Sequence, residues 1–576
     1  MTFPIDLMIT LIGYVILAFS YLGLGWASSR ILRIDFPVKE KLFFLIWLGW
    51  AVTLFLLQII NLFIPINIFS NVPFLILGTI FAIVFLKNES RKEGVSNVSW
   101  VYPALLAITT VWIAVLSMLS PRNNDSGLYH FNSIRWLNEY PIVLGLGNLH
   151  YRLAFNQSFF AYVAYLNLYP LFNHGYNLAI SFLLLLLFAE CLLFLSKLLN
   201  AKDLTENFRL ISIIAVFFIP PLIYLTLNSN IPSPEPDIAS VILQILIFIH
   251  FIQSVAGNTS TKNDDSRIMF LLILSATAIT VKLSNLFFVL SVCAILLIIK
   301  RKSLRLSKKQ AFLRLGKLLA LPALIIFMWS LRGILLSGCP LYPSTFGCIK
   351  VDWAVSINAV KNAANVVYSW ARQPGKSPDQ VLNSWAWFGP WFHGILTGYQ
   401  VAIIYPIVIS VLGAMISFLT YIFLPPKKTN KCFFLVPIPI LISLLFWFGL
   451  APDPRFANAL FWMLPISMII IIIAKILELS PRIRIGMIAV MFLIINADIA
   501  LFFVQNPRTF PNIPVNGFMQ IPSIKLTKNT TLSGTNIWIP SKGNRCWDSK
   551  IPCTPYFDET LNFKNNIVFP EFTTGK

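Results

Sequence analysis

Two short acidic segments carry the residue types that proton transfer needs. Asp125 lies in Ser120-Pro-Arg-Asn-Asn-Asp-Ser-Gly-Leu-Tyr-His130, where an apolar run ends and a helical pattern begins. A carboxylate there can take a proton from a sugar hydroxyl as a general base. Asp before Ser-Gly-Leu is also good helix-capping chemistry, so base and cap stand as two readings. Glu235 and Asp237 lie in Pro232-Ser-Pro-Glu-Pro-Asp237. Their spacing lets them share a divalent cation or orient a partner, and Asp237 can equally cap the helix it starts. The prolines hold this segment rigid, which suits a site and a turn alike.

Cations recur at the ends of apolar runs. Lys282 sits in a turn, Arg332 near the end of a run, and Arg455 in Ala451-Pro-Asp-Pro-Arg-Phe456. Such side chains snorkel to lipid headgroups or hold the phosphate of a lipid-linked substrate. Arg455, fixed between Pro454 and Phe456, is the best placed of them. His130 and Arg135, just after Asp125, complete the candidate substrate-binding set. Trp385, Trp387, Trp391 and His393 can stack on sugar rings, but membrane aromatic belts have the same composition, and the belt is the favoured reading. Glu190 and Asp498 fall inside apolar runs, where an ionisable group is a functional candidate by default. The histidines show no metal-ligand spacing, and no phosphate-binding glycine loop or Ser-x-Gly elbow occurs.

What must position these residues is a set of membrane helices. The chain has 576 residues, of which 57% are hydrophobic and 12% charged. Its mean hydropathy is +0.75. Soluble domains carry roughly 25% charged residues, so this is an integral membrane protein. Runs of the length that crosses a bilayer give about fourteen crossings, near 6–27, 42–64, 71–87, 100–120, 176–197, 209–227, 238–256, 268–281, 283–300, 318–337, 401–423, 432–449, 459–476 and 486–504. The pair meeting at Lys282 is the least distinct. The first run has no basic residues before it and no cleavage site after it, so it reads as a retained helix, not a secretion signal.

The net charge of +21 does not point to nucleic acid, because the basic residues form short bursts between apolar runs. With the N-terminus placed outside, alternate loops gather more than half of the 44 basic residues, including the run from Lys300 to Lys317. That is the positive-inside pattern. It puts both termini on the extracytoplasmic side of the plasma (inner) membrane. Three outer segments are too long to be mere connectors: 121–175, 338–400 and the tail 505–576. The first contains an interfacial helical pattern from Gly127 to Tyr140, then a semi-apolar stretch, Phe159 to Phe172, expected to lie in or re-enter the membrane surface. No inverted repeat is visible. Cys339 with Cys348, and Cys546 with Cys553, lie in outer segments and are plausible disulfides in an oxidising compartment.

This layout resembles the GT-C superfamily of polyprenyl-phosphate-dependent glycosyltransferases. The resemblance implies a seven-helix module with an acidic first outer loop, a second acidic site after the third helix and a large outer loop after the seventh. Here the run at 100–120 takes the place of the first helix, with Asp125 at the first acidic position and Glu235/Asp237 at the second. The chain then divides into three accessory helices (1–99), a GT-C-like module (100–340), a large outer loop (341–400), four further helices (401–504) and a small C-terminal tail domain (505–576). Most of the chain is also similar to an uncharacterised family of bacterial GT-C-like membrane proteins. The stretches that carry this are Asp125-Ser-Gly-Leu-Tyr-His130, Arg135-Trp-Leu-Asn-Glu-Tyr140, Gly145-Leu-Gly-Asn-Leu-His150, Cys339-Pro-Leu-Tyr-Pro-Ser344, Ala451-Pro-Asp-Pro-Arg-Phe456 and Arg545-Cys-Trp-Asp548. Many GT-C enzymes pair acids in the first loop, whereas Asn123 and Asn124 precede Asp125 here, which argues against a metal at that position.

The expectation is an all-α integral membrane protein acting as an inverting glycosyltransferase in cell-envelope polysaccharide or lipid modification. Its partners would be the lipid bilayer, a polyprenyl-phosphate sugar donor and a glycan or lipid acceptor. Asp125 would be the base, with Lys282 and Arg455 on the departing phosphate. A divalent metal remains a possible cofactor at Glu235 and Asp237. The rivals are a lipid-linked oligosaccharide flippase, a polysaccharide polymerase or ligase, and a non-catalytic assembly protein.

Overall fold

The computed structural model describes residues 3–36, 41–89, 99–200, 204–256, 261–300, 308–424, 431–507, 517–565 and 569–574. Much of the basic loop sequence, including 301–307 and 425–430, lies outside the described residues.

Each apolar run falls on helix. Among the described residues, nine helices are long and apolar enough to span a bilayer. Two bent pairs, Ala459–Met468 with Ile470–Leu477 and Pro481–Ile495 with Ala497–Gln505, raise the number to eleven if each is one span. Their bends are 43° and 50°. The expected fourteen therefore include segments that hydropathy counts but that are short: Val101–Ser117 and Leu283–Ile299 fall below the spanning length. The run 268–281 belongs to the helix Thr261–Val281. The protein is an all-α membrane protein with a small β component.

The N-terminal helices Phe3–Leu32, Lys41–Ile60 and Ile68–Glu89 are held by backbone contact. A Cβ on Gly25 would fall 1.8 Å from the Leu45 carbonyl oxygen, one on Gly49 1.9 Å from that of Tyr21, and one on Gly23 1.8 Å from that of Gly78. Bilayer lipid removes the hydrophobic drive between helices, so close approach at small residues supplies the packing instead.

The three long connecting segments meet at one end of the helix array. Leu144 N–H donates to Pro570 O (2.9 Å) and Phe572 N–H to Leu144 O (2.8 Å). Asn148 Nδ2 donates to Trp353 O (2.9 Å) and Phe572 O (3.2 Å). Trp547 N–H donates to Gly127 O at 2.7 Å, and a Cβ on Gly127 would lie 2.6 Å from the Trp547 indole. The tail forms two antiparallel hairpins, Leu526–Thr530 with Asn536–Pro540 and Leu561–Lys564 with Glu571–Thr574.

This cap changes two expectations. The segment 127–140 is a π-helical turn, Ser126–His130, followed by the helix Phe131–Glu139. Most of it is buried instead of lying at an interface, because Trp547 and the hairpins cover its second face. The helix Phe159–Leu166 is buried at every position, so it does not lie in the membrane surface; burial within protein is what a re-entrant segment needs.

Cys339 is bonded to Cys348 (2.03 Å) and Cys546 to Cys553 (2.04 Å). Each closes a short loop, and cross-linking such a loop stabilises by roughly 2–3 kcal/mol in the loop-entropy model. Replacing both members of either pair by serine is expected to lower the melting temperature of the full chain in nanodiscs. An unchanged melt would show that the bond contributes nothing.

Candidate functional site

At the capped end, five separate segments bring charged side chains together. The turn 120–125 is tied to the proline-rich turn 230–235 before any charge is considered. Arg122 and Asn123 donate their backbone N–H groups to Ser233 Oγ (3.2 and 3.1 Å). Asn230 Oδ1 accepts from Arg122 N–H (2.8 Å), and Asn230 Nδ2 donates to Ser120 O (3.1 Å). Glu235 is thereby set beside the start of the first acidic segment.

Asp125 occupies the N-cap position of the turn Ser126–His130 but makes no side-chain capping bond. Asn123 does that work instead, its Oδ1 accepting from the N–H groups of Asp125 (2.7 Å) and Ser126 (3.4 Å). The Asp125 carboxylate is left free to face two arginines. Arg152 Nη1 donates to its Oδ1 at 2.9 Å and Arg455 Nη1 to its Oδ2 at 3.2 Å.

Each arginine is itself fixed. Arg152 lies on the 3₁₀ turn Tyr151–Phe155, and its own backbone N–H donates to His150 Nδ1 (3.1 Å), which caps the turn. Its Nε donates to Tyr151 Oη at 3.0 Å, and its guanidinium lies 5.7 and 5.5 Å from the ring centroids of Tyr129 and Tyr151. Arg455 is forked onto Asp453, with Nε 3.2 Å from both carboxylate oxygens and Nη2 3.0 Å from Oδ2. Two indoles hold that loop: Trp447 Nε1 donates to Asp453 O and Trp391 Nε1 to Pro452 O, both at 2.8 Å. Lys282, in the turn between two helices, forms an ion pair with Asp237. Its Nζ lies 4.2 Å from the centroid of the Phe456 ring.

The carboxyls of this cluster have opposed proton affinities. Burial alone would raise Asp125, but charge on His130 and the guanidiniums of Arg152 and Arg455 outweigh it and hold the group below the usual range. Burial drives His130 down to about 3, so at neutral pH that ring is uncharged and the arginines carry the effect. Its Nδ1 is 3.0 Å from Ser126 Oγ. Glu235 goes the other way. Burial lifts it to about 7, against the pull of Asn123, Arg455 and Lys282 and with that of Asp125. Burial, then the neighbouring Arg455, lowers the Lys282 ammonium, while Asp453, Asp125 and Glu235 oppose the shift.

Of the residues singled out in sequence, Asp125, Glu235, Asp237, His130, Lys282 and Arg455 therefore belong to one neighbourhood. Arg135 and Arg332 do not. Arg135 pairs with Glu139 (2.6 Å) and Asp548 (3.5 Å) beneath the tail. Arg332 is 5% exposed and donates to Gln58 O (3.2 Å) and Asn61 Oδ1 (3.1 Å), with no carboxylate partner among the described residues. It borders a cavity of about 50 Å³ that also touches Arg152. Among the described residues no group of three His, Cys, Asp or Glu side chains could hold a metal ion, and Asp237 is engaged by Lys282. Trp385, Trp387 and Trp391 form an aromatic cluster with Phe388, partly exposed at Trp385 and Phe388. Glu190 is buried with His250 Nε2 at 3.1 Å and Trp47 Nε1 at 3.3 Å, and Asp498 is buried elsewhere.

Sequence reasoning passed over Arg152 and Ser233, and weighed Asn123 only against a metal. Arg152 had no signal beyond a Tyr-Arg pair in an outer loop. Asp453 stood in a quoted stretch, and its place two residues before Arg455 was the available hint.

A family described as a domain of unknown function (DUF8201) matches residues 7–462, which include every member of the charged cluster. No curated protein and no solved structure matches the chain. The match covers more than half of the sequence, and the chain belongs to the DUF8201 family.

Proposed function

We propose that this protein is a membrane glycosyltransferase of GT-C type. It would move a sugar from a polyprenyl-phosphate donor to a glycan or lipid acceptor on the extracytoplasmic face of the plasma membrane. One observation carries the reading: two carboxyls with proton affinities driven apart, Asp125 and Glu235, stand among three cations. Opposed carboxyls in one site divide acid–base labour. The excess of basic residues in the short loops supports the sidedness, as do disulfides in two segments of the cap.

Asp125, expected from sequence to be the base, is ill suited to it once clamped by two guanidiniums. Glu235, titrating near 7, takes that role. The acceptor hydroxyl gives its proton to Glu235 while its oxygen bonds to the anomeric carbon. The carbon–oxygen bond to phosphate breaks on the opposite face, and the phosphate leaves with the electron pair, so the sugar is inverted. Arg152, Arg455 and Lys282 offset the charge that develops there. Asp125 stays anionic and positions the two arginines.

The test is a reconstitution of the full chain in liposomes with a panel of polyprenyl-phosphate sugars and glycan acceptors. Release of polyprenyl phosphate coupled to acceptor glycosylation is expected for at least one donor. Passage of intact donor between leaflets without cleavage would replace this reading with a transporter.

A further inference from the structure

Away from the charged cluster, a second cavity of about 210 Å³ lies between the first long segment and the C-terminal tail. At roughly 10–15 Å³ for each water-sized group, it has room for a hexose ring with its hydroxyls. Its floor is locked: Asn167 Nδ2 donates to Asn138 Oδ1 (2.9 Å), and Asn138 Nδ2 donates to Ile66 O (2.6 Å) and Ala164 O (3.0 Å). Both amides are more than nine-tenths buried.

The walls, by contrast, hold unused hydrogen-bonding capacity. Arg135 spends Nε on Glu139 and Nη1 on Asp548, leaving Nη2 without a partner among the described residues. Asp548 Oδ2 and Asn173 Oδ1, both on solvent-exposed side chains, likewise have no protein partner among the described residues and can exchange water for a ligand hydroxyl. Tyr169 Oη donates to Glu139 at 3.1 Å and can still accept. Phe131, Ile134 and the Tyr176 ring supply the apolar part of the lining. Donors and acceptors therefore stand beside an apolar patch, the mixture a pyranose requires. Charge narrows the choice further. Arg135 faces two carboxylates, Glu139 and Asp548, so this wall carries a net negative charge and disfavours an anion.

We propose that this cavity is a binding site for a hexose-sized sugar unit that carries no negative charge. The site goes beyond the transfer reading and does not depend on it, since binding here needs neither Glu235 nor a lipid donor.

Full-length protein in nanodiscs would be titrated with methyl hexosides (gluco, manno and galacto) and with N-acetylglucosamine, followed by ligand-observed NMR. At least one neutral sugar should bind, with glucuronate binding more weakly. Asn173 has a left-handed φ of 54°, so Asn173→Gly removes the amide without straining the backbone. Asp548→Asn keeps the shape and removes the charge. Each variant should weaken binding roughly tenfold, the equivalent of one hydrogen bond, while the melting temperature holds. Absence of binding by every neutral sugar overturns the proposal. So does binding that both variants leave unchanged, which would place the sugar elsewhere.

Discussion

Replacing Glu235 by glutamine is expected to cut the transfer rate roughly 10²–10⁴-fold, the usual worth of a positioned general base. The rate should also lose its rising limb near neutrality. The sign follows from the group. A base must be ionised, and burial lifts this carboxyl to about 7. The wild-type rate should therefore be low in mild acid, rise toward pH 7 as Glu235 ionises, and fall above it as Lys282 loses the charge that faces the phosphate. Glutamine cannot titrate, so the variant should lack that rise and keep only the fall that follows loss of the Lys282 proton, which burial and Arg455 bring down to about 7. A rising limb that survives in Glu235→Gln would assign it to another group and remove the base role from Glu235.

Asp125→Asn should act by a different route. Asparagine fits the same space but presents an amide to one of two guanidiniums that need an anion. Arg455 keeps Asp453, whereas Arg152 retains the Tyr151 hydroxyl and the Tyr129 and Tyr151 rings but no anion. A charged hydrogen bond contributes about 1.5–3 kcal/mol, and the partial exposure of these side chains, 28% for Asp125 and 20% for Arg152, places the loss at the low end of that range. The rate should fall roughly 10²-fold, as when a catalytic group is displaced by about an ångström. The rising limb near pH 7 should remain, because Glu235 is intact. Full activity in Asp125→Asn would show that the arginines need no such clamp. A flat pH profile would return the base role to Asp125.

The helices were legible because twenty apolar residues in a row have few alternatives to a membrane span. Asp125, Lys282 and Arg455 were legible for a related reason: ionic groups at the ends of apolar runs stand out. Which of them meet was not legible. Arg152 reaches Asp125 across 27 positions and Arg455 does so across 330, and such contacts leave no periodic trace. Arg332 and Lys282 looked equivalent in sequence, since hydropathy gives depth along a helix and says nothing of direction around it. Arg332 points into a separate buried junction with Gln58 and Asn61. The choice between base and cap at Asp125 turned on Asn123, whose side chain takes over the capping bonds. From sequence, the asparagines only weakened the case for a metal.

The Trp547 indole seated against Gly127 sets an order of events during biosynthesis. Asp125 and its turn are made early, yet the residue that covers that turn lies some four hundred positions later. A ribosome delivering residues from the N-terminus leaves the segment 121–175 without its lid until nearly the whole chain has been made. Maturation of this face is thus a late, post-insertion event, coupled to delivery of the tail and to closure of Cys546 onto Cys553 on either side of that indole.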